Sequence, residues 1–320
     1  MDACHSHIRS VLVVGAGLMG SRIALLFASR GYPVALTDVD AKVLAGATEV
    51  IRGSLERMAE QGLAEASGID AAIARIRTTG DLGEGTAGAD FVVEAVSENL
   101  ALKQEIFRRL DSLCRPEVVL ATNTSVISIT EIAKNAIHQE RIVGTHFWNP
   151  PNLIPLVEVV PGERTAQSSL DIAVSLLSAL GKHPVRVKRD VPGFVGNRLQ
   201  HALWREAVSI VERGIADADV VDEVVKFGFG MRLPVLGPLE NAELVGLDLT
   251  LAIHDYILKY LESSPDPSPL LREKVEMGEL GFKSGVGFRQ WSPEKREQVR
   301  TSLETHLFRW LREHRTPPER

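Results

Sequence analysis

Two residues of the chain, His146 and Glu158, could together perform acid–base chemistry. Glu158 lies within the apolar run of residues 156–160, where an unpaired buried carboxylate would be costly, so it needs a partner. A carboxylate that holds one nitrogen of an imidazole fixes its tautomer and makes the other nitrogen a better base. The alternatives are structural, because a histidine at a strand end often only completes a turn and a buried glutamate often only forms an ion pair. The sequence therefore offers His146 as a candidate base with Glu158 as its partner.

Two short polar segments follow strand-like runs. Residues 121–125 (ATNTS) end in Ser125, and residues 144–151 (GTHFWNPP) contain His146 and Asn149. The carboxyl ends of parallel strands are where open α/β sheets bind ligands. We therefore expect both segments to line a ligand site.

A glycine-rich segment near the N-terminus, GAGLMG, has the spacing of a dinucleotide-binding turn between a strand and a helix. Gly15 permits the tight turn, Gly17 lets backbone amides approach a pyrophosphate, and Gly20 lets the helix pack closely on the sheet. The start of the helix, at Leu18 and Met19, supplies unpaired amides and partial positive charge to the anion. The structural alternative is a glycine turn that binds nothing.

Asp38 decides which dinucleotide the turn would hold. It ends the second strand-like run, where a carboxylate can accept a hydrogen bond from a ribose 2′-hydroxyl. A 2′-phosphate would be repelled there, and the neighbours Thr37, Val39 and Asp40 include no arginine that could hold one. The sequence therefore predicts NAD rather than NADP.

The elements that would position these residues change in type near residue 190. Strand-like runs alternate with helical patterns before that point, which is typical of βαβ units and a parallel sheet. The predicted strands span residues 8–14, 34–37, 91–95, 118–121, 142–145, 156–160 and 185–188, and the predicted helices span residues 18–29, 41–60, 100–113 and 168–180. The remaining helices are predicted at residues 194–213, 217–227, 239–262 and 294–313, with a loop at residues 263–269. We therefore predict an α/β domain in residues 1–190 and an all-helical domain in residues 191–320.

Composition excludes several classes of protein. The chain has 320 residues, of which 44% are hydrophobic and 24% charged, with a net charge of −6, so a basic surface for nucleic acid or anionic membrane is not expected. No apolar run reaches the ~18 residues of a membrane span. The opening residues lack a signal-peptide pattern, and Cys4 and Cys114 are too few for a disulfide framework or a zinc site. We expect a cytoplasmic protein with no metal site.

Five motifs occur in the order and spacing of the L-3-hydroxyacyl-CoA dehydrogenase family, which the chain resembles from about residue 8 to residue 288. The motifs are GAGLMG, NTS, HFWNP, LVEV and PGFVGNR. The resemblance implies an α/β fold with an N-terminal Rossmann-type doubly wound sheet, followed by a smaller all-helical domain used for dimerisation. It also implies NAD as cofactor and oxidation of a 3-hydroxyl group, β to a carbonyl, to a 3-oxo product by hydride transfer.

The resemblance assigns catalytic roles to four residues. His146 would take the proton of the substrate hydroxyl, and Glu158 would orient it. Ser125 and Asn197 would hydrogen-bond the substrate oxygen as it changes from alkoxide to ketone.

The resemblance also implies further contacts with the bound molecules. Glu98 and Lys103 match positions that meet the nicotinamide-side ribose, and Asn149 matches one that lies near both cofactor and substrate. Lys283, in the helical domain, matches another cofactor contact.

Two departures from the family concern the substrate. The helical hairpin that carries lysines for the CoA phosphates in that family corresponds to residues 54–65, which hold three glutamates and one arginine. Residues 228–240 are more similar to the loop of the lambda-crystallin (gulonate 3-dehydrogenase) and carnitine dehydrogenase branches. Arg232 in that loop is predicted to bind a substrate carboxylate, or the acyl-end carbonyl of a thioester; the alternative is a surface or interface arginine.

Three hypotheses remain open at this point. The substrate is either a CoA thioester or a small free hydroxy acid such as gulonate or carnitine. A crystallin-like structural protein that retains NAD binding is the third, and the intact set of catalytic residues argues against it. The apolar stretches 194–211 and 244–253 predict a homodimer with a small-molecule substrate and neither nucleic acid nor membrane as partner.

Overall fold

A mixed β-sheet of eight strands lies at the centre of the first half of the computed structural model, which describes residues 5–314. The strands are β1 (Val11–Val14), β2 (Val34–Thr37), β3 (Ile76–Thr79), β4 (Phe91–Glu94), β5 (Val119–Thr122), β6 (Ile142–Phe147), β7 (Leu156–Pro161) and β8 (His183–Arg186). Their order in the sheet is β3-β2-β1-β4-β5-β6-β7-β8, with β6 and β7 antiparallel and every other pair parallel. This Rossmann-type sheet confirms the predicted fold class.

Helices cover both faces of the sheet. One face packs against α1 (Leu18–Ser29), α2 (Ala41–Glu60), α3 (Ile69–Ala74) and α7 (Gln167–Ala179), and the other against α4 (Leu82–Thr86), α5 (Leu100–Leu113) and α6 (Ile129–Ala133). Successive side chains of β1 enter opposite cores, since Val11 and Val13 belong to the first and Leu12 and Val14 to the second. A strand covered on both faces needs a continuous apolar run, which is why these runs were visible in the sequence.

The prediction missed one edge of the sheet. Strand β3 and the flanking helices α3 and α4 were not predicted, because β3 is four residues long and its members Arg77 and Thr78 are exposed. An edge strand with one neighbour has no need of a continuous apolar run. Strand β8 also begins at His183, two positions before the predicted residue 185.

The second half of the chain is helical, as predicted. Its helices are α8 (Gly196–Glu212), α9 (Ala218–Phe227), α10 (Pro238–Val245), α11 (Leu247–Ile257), α12 (Pro269–Glu276) and α13 (Pro293–Glu313). The single helix predicted over residues 239–262 is wrong, since Gly246 has a φ of +105° and separates α10 from α11. Helix α12 was not predicted either.

The chain forms two compact units. The first contains the described residues 5–197 and 303–314, and the second contains residues 198–302. The predicted domains, residues 1–190 and 191–320, differ from these units in two respects, because the division falls within α8 and the end of α13 belongs to the first unit. Within residues 5–314, no helix combines the length and the apolar character that crossing a membrane would require.

Candidate active site

His146 and Glu158 are paired residues of the two antiparallel strands β6 and β7. Both side chains are buried, and the Nδ1 atom of His146 lies 2.8 Å from Oε2 of Glu158. The partnership expected from the sequence is therefore present in the geometry. With Nδ1 donating to the carboxylate, Nε2 is the nitrogen that carries the lone pair.

The second oxygen of Glu158 accepts two backbone hydrogen bonds. The amides of Val195 and Gly196 donate to Oε1, each at 3.0 Å, and Gly196 is the first residue of α8. A helix N-terminus favours a carboxylate, so the chain supplies the base partner with its own anion site. Only glycine fits at 196, since a Cβ there would lie 2.3 Å from the ring of Trp148.

The pKa of Glu158 lies below the ordinary value of a glutamate. Burial alone would raise it, but the hydrogen bonds from His146 and from the amides of Gly196 and Val195 outweigh the effect of burial. Glu158 therefore remains an anion at neutral pH, which is the state that can stabilise a protonated imidazole.

Two aromatic rings pack beside the imidazole of His146. The ring centres of Trp148 and Phe194 lie 5.3 and 5.8 Å from that of His146. Phe194 has a φ of +50°, the left-handed region that is uncommon outside glycine, and such residues cluster at functional sites. The rings restrict the orientation of the imidazole.

One hydrogen bond joins the polar segment after β5 to the end of β6, and another joins it to the start of α8. Asn123 accepts from the backbone amide of Phe147 at 2.9 Å. The carbonyl oxygen of Ser125 accepts from the side-chain amide of Asn197 at 2.8 Å. The structure therefore brings Ser125 and Asn197 together, as their predicted roles require.

Glu98 holds the turn that carries Ser125. Its Oε1 atom accepts from the hydroxyl of Thr124 at 2.6 Å and from the amides of Ser125 and Val126 at 2.9 and 3.0 Å. Burial acts to raise the pKa of Glu98, but these hydrogen bonds and the charge of Lys103 hold it below its ordinary value. The predicted contact with a ribose would fall to the other oxygen, Oε2.

Lys103 is fully buried, which its predicted role did not anticipate. Its ammonium group donates to Oε1 of Glu94 at 2.7 Å and lies 3.6 Å from Oε2 of Glu98. Glu94 also accepts from the hydroxyl of Thr122 at 2.6 Å. Sequence reasoning missed Glu94, although it lies within the predicted strand 91–95 and an acid within an apolar run was the signal that singled out Glu158.

The glycine turn has the shape that the sequence predicted. Gly15 has a φ of +99°, and a Cβ there would lie 2.7 Å from the carbonyl oxygen of Ala95. A Cβ at Gly20 would overlap the carbonyl of Gly15, so the helix approaches the turn itself. A Cβ at Gly17 would meet nothing within 4 Å, which leaves room above the turn.

The start of α1 and Asp38 fit a dinucleotide. No side chain caps the N-terminus of α1 at Leu18, so its amides remain available to a phosphate. Asp38 lies at the end of β2, where one of its oxygens accepts from the amide of Ala16 at 2.8 Å and the other from that of Asp40 at 3.0 Å. Carboxylate oxygens can accept a further hydrogen bond each, so a ribose hydroxyl can still be bound.

The other predicted residues lie apart from this set. Asn149 is exposed after β6, and its Oδ1 atom accepts from Nη1 of Arg22 at 3.3 Å. Sequence reasoning missed Arg22. Arg232 and Lys283 belong to the second unit, and their contacts with substrate and cofactor stay predictions.

The site combines a buried imidazole held by a carboxylate with a glycine turn shaped for a dinucleotide. This combination is typical of a nicotinamide-dependent dehydrogenase. Comparison with known proteins supplies the family. The NAD binding domain of 3-hydroxyacyl-CoA dehydrogenase matches residues 10–191, and the C-terminal domain of 3-hydroxyacyl-CoA dehydrogenase matches residues 193–291. The chain belongs to the 3-hydroxyacyl-CoA dehydrogenase family. This membership confirms the predicted family, NAD as cofactor and the class of oxidoreductases acting on CH–OH.

Two relatives and one solved structure show what the chain is similar to. The chain is 38% identical over 288 residues to human mitochondrial hydroxyacyl-coenzyme A dehydrogenase, covering 88% of this chain and 90% of the relative. It is 35% identical over 288 residues to a 5-formyl-3-hydroxy-2-methylpyridine 4-carboxylate 5-dehydrogenase of Mesorhizobium japonicum. The match covers 90% of this chain and 92% of that relative. A crystal structure of a dehydrogenase of the latter name, described as an NAD+ dependent dismutase, is 34% identical with a TM-score of 0.89 and covers 97% of this chain and 100% of that one.

Proposed function

We propose that this chain oxidises the hydroxyl carbon of a small hydroxy acid with a free carboxylate, with His146 as the general base. The observation that carries the proposal is the 2.8 Å hydrogen bond between Nδ1 of His146 and Oε2 of Glu158. It leaves Nε2 as the basic atom of a buried and oriented imidazole, which is the arrangement that proton abstraction needs. A structural protein has no need of such a pair.

In the proposed reaction, Nε2 of His146 accepts the proton of the substrate hydroxyl. The anion of Glu158 stabilises the imidazolium that forms, because it is held in place by two amides and cannot turn away. The hydroxyl of Ser125 and the second N–H of the Asn197 amide, whose other N–H donates to the carbonyl of Ser125, would hydrogen-bond the substrate oxygen while its charge changes. When bound, NAD supplies the acceptor for the hydride.

The residues assigned to the cofactor divide by function. Amides at Gly17, Leu18 and Met19 would hold the pyrophosphate, and Asp38 would bind the adenine-side ribose. Gly15 and Gly20 would keep the turn close to the helix, as their crowded Cβ positions indicate.

The nicotinamide side of the cofactor is assigned to residues at the strand ends. Glu98 would bind the nicotinamide-side ribose through Oε2. The buried ammonium group of Lys103, 3.6 Å from that oxygen, would keep Glu98 in position. Asn149 would lie near both cofactor and substrate, and Lys283 stays a predicted cofactor contact.

The preference for a free acid is supported by the surface of α2. Residues 54–65 contain three exposed glutamates and one arginine, and that arginine, Arg57, forms an ion pair with Glu304 at 3.2 Å. A phosphate group beside this segment would meet repulsion from Glu60 and no unpaired cation on the segment. The Mesorhizobium relative is named for a pyridine 4-carboxylate, and this supports a substrate with a free carboxylate.

A CoA thioester is the second candidate. It is favoured by the identity of 38% to the human hydroxyacyl-coenzyme A dehydrogenase over nearly the whole chain. For a thioester, Arg232 is predicted to contact the acyl-end carbonyl.

A panel of substrates distinguishes the candidates. Purified protein with NAD is mixed in turn with gulonate, carnitine, 5-formyl-3-hydroxy-2-methylpyridine 4-carboxylate and 3-hydroxybutyryl-CoA, and NADH absorbance is recorded. We expect NADH with gulonate or carnitine and little with the thioester, and the rate should fall by ~10²–10⁴-fold in His146→Gln. NADH with the pyridine compound alone would show oxidation of a formyl group and would contradict the proposed hydroxyl substrate. Turnover of the thioester alone would support the second candidate and contradict the first.

A homodimer is proposed from the surface of the second unit. Large apolar side chains of α10 and α11 are exposed in the single chain, including Leu239, Leu244, Leu247 and Leu251. Apolar patches of this extent mark interaction surfaces, and a symmetric dimer is the commonest way to cover them.

A further inference from the structure

Arg22 is a half-buried cation without an anionic partner. It lies in α1, and its one described hydrogen bond is the 3.3 Å contact from Nη1 to the neutral amide oxygen of Asn149. Its Nε atom is buried and has no hydrogen-bond partner within residues 5–314, and no described carboxylate forms an ion pair with it. Arg141, by contrast, is buried with Asp111 at 2.8 Å. A buried donor without a partner is unusual in a folded protein.

The charges around Arg22 leave room for one more anion. Burial lowers the pKa of the Arg22 guanidinium, and the positive charge of Arg57 lowers it further, against a smaller opposing effect of Glu304. Glu304 is itself occupied, since it accepts from Nε of Arg57 at 3.2 Å. Glu304 is therefore the ion-pair partner of Arg57 and not of Arg22.

The position of Arg22 connects the cofactor turn with the strand of the base. Helix α1 begins directly after the glycine turn, and Asn149, which accepts from Arg22, follows the strand β6 that carries His146. Both belong to the first unit, and both follow the carboxyl ends of their strands. A ligand group bound at Arg22 would therefore be on the side of the sheet where the reaction is proposed.

We infer that Arg22 binds the carboxylate of the small hydroxy acid, an inference that rests on the proposed function and names the group that selects its substrate. The guanidinium presents its N–H donors in a planar fork, and its two terminal nitrogens can donate to the two oxygens of a carboxylate. A neutral thioester or amide could accept a hydrogen bond but would leave the positive charge unbalanced.

Helix α13 contributes to this selection. The matched C-terminal family domain ends at residue 291, before α13 begins at Pro293. Glu304 lies in the part of α13 that belongs to the first unit, and by neutralising Arg57 it leaves Arg22 as the cation still unpaired. On this inference, Arg22 makes the carboxylate contact that the sequence predicted for Arg232.

The test compares ligands that differ only in charge. Calorimetry measures the Kd of pyridine-4-carboxylate against pyridine-4-carboxamide, and of 3-hydroxybutyrate against 3-hydroxybutanamide, each with protein saturated with NADH. We expect at least one carboxylate to bind ~10–100-fold more tightly than its amide. The preference should be lost in Arg22→Gln and partly retained in Arg22→Lys, which keeps the charge without the fork.

The control variant is Arg108→Gln, which removes an exposed arginine that pairs with Glu105 on α5 at 2.7 Å. It should bind every probe like the wild type. The Kd for NADH should change less than about threefold in Arg22→Gln, which also shows that the variant is folded.

Three results would overturn the inference. They are an absence of carboxylate preference in the wild type, an unchanged preference in Arg22→Gln, and a loss of NADH affinity with the preference intact, which would assign Arg22 to the cofactor. If carboxylates bind through Arg22 but no acid of the substrate panel is oxidised, the carboxylate site stands and the proposed function fails.

Discussion

His146 and Glu158 occupy directly opposed positions of β6 and β7, and their side chains meet at 2.8 Å. Opposed residues of an antiparallel pair have their side chains on the same face, so the pairing register alone brings the acid to the imidazole. A shift of one residue would turn Glu158 to the other face of the sheet. The register of two strands therefore determines whether the base has its partner.

Replacement of either member of the pair should lower turnover without loss of the cofactor. We expect His146→Gln to reduce kcat by ~10²–10⁴-fold, the usual contribution of a general base, and Glu158→Gln to reduce it less. The Kd for NADH, measured by fluorescence, should be unchanged. His138→Gln, which removes an exposed histidine 3.5 Å from Glu140, is the matched control. A near-normal kcat in His146→Gln would place the base elsewhere.

Gly196→Ala should damage both folding and the site. The added methyl group would lie 2.3 Å from the Trp148 ring and 3.3 Å from Oε2 of Glu158, so the start of α8 must move. We expect a free energy of unfolding lower by about 1–3 kcal/mol, as is typical of overpacking, together with a lower kcat. Gly68→Ala is the control, because a Cβ there meets nothing within 4 Å. Equal urea midpoints for the two variants would contradict the prediction.

Asp38 should select NAD over NADP. Its carboxylate would repel a 2′-phosphate, so we expect the wild type to bind NADH at least ~10-fold more tightly than NADPH, equivalent to about 1.4 kcal/mol. Asp38→Ser should narrow this ratio. Asp40→Asn provides the comparison, since Asp40 caps α2 through the amide of Lys42 and should leave the ratio unchanged. Equal affinities in the wild type would refute this role of Asp38.

Lys182 should make stability depend on pH. Burial, reinforced by the charge of Arg30, lowers the pKa of Lys182 to about 7, while its ammonium donates to the carbonyls of Pro151 and Ile154. Its ordinary pKa is 10.5, so between these values the unfolded chain binds more protons and stability rises with pH. Below about pH 7 the full cost of the buried charge is present.

Urea unfolding at about pH 6.5 and about pH 9 measures this contribution. Between these two pH values, the free energy of unfolding of the wild type should rise by about 1–3 kcal/mol more than that of Lys182→Met. Lys134→Met, which removes an exposed lysine 3.5 Å from Glu131, should follow the wild type. Parallel profiles for the wild type and Lys182→Met would show that Lys182 does not titrate as described.

The exposed apolar faces of α10 and α11 should be covered in solution. We expect light scattering at micromolar protein to give twice the chain mass of 35.0 kDa. Leu247→Glu should weaken the dimer, because the substitution places a charge among apolar side chains. A mass near that of one chain for the wild type would rule out the dimer.

The sequence predicted the parts of the fold that are buried on both faces. Runs such as Val11–Val14 had to be apolar throughout, and helix α1 was predicted with both of its ends correct. Strand β3 was not predicted because Arg77 and Thr78 are exposed. The break between α10 and α11 was not predicted because the sequence does not show that Gly246 has a positive φ. These features depend on tertiary surroundings that a local pattern does not contain.

The site was predicted less completely than the fold. Motif order singled out His146 and Glu158, but the positions of Lys103 and Glu94 depend on which face of α5 packs against β4. The sequence did contain a signal for Arg22 that was not used. Arg22 is a charged residue directly before six apolar residues of α1, all of which are buried in the structure. Its contact with Asn149 joins residues far apart in the chain, which no spacing rule could supply.

The anchoring of Glu158 by the first amides of α8 has a use in protein design. The base requires two opposed strand positions, a helix that starts at a glycine, and two aromatic rings packed beside the imidazole. The same arrangement could be designed into another antiparallel strand pair that ends near the start of a helix. The designed histidine would be oriented by a carboxylate that backbone amides hold in place. The surrounding loops could then be changed to bind a new substrate.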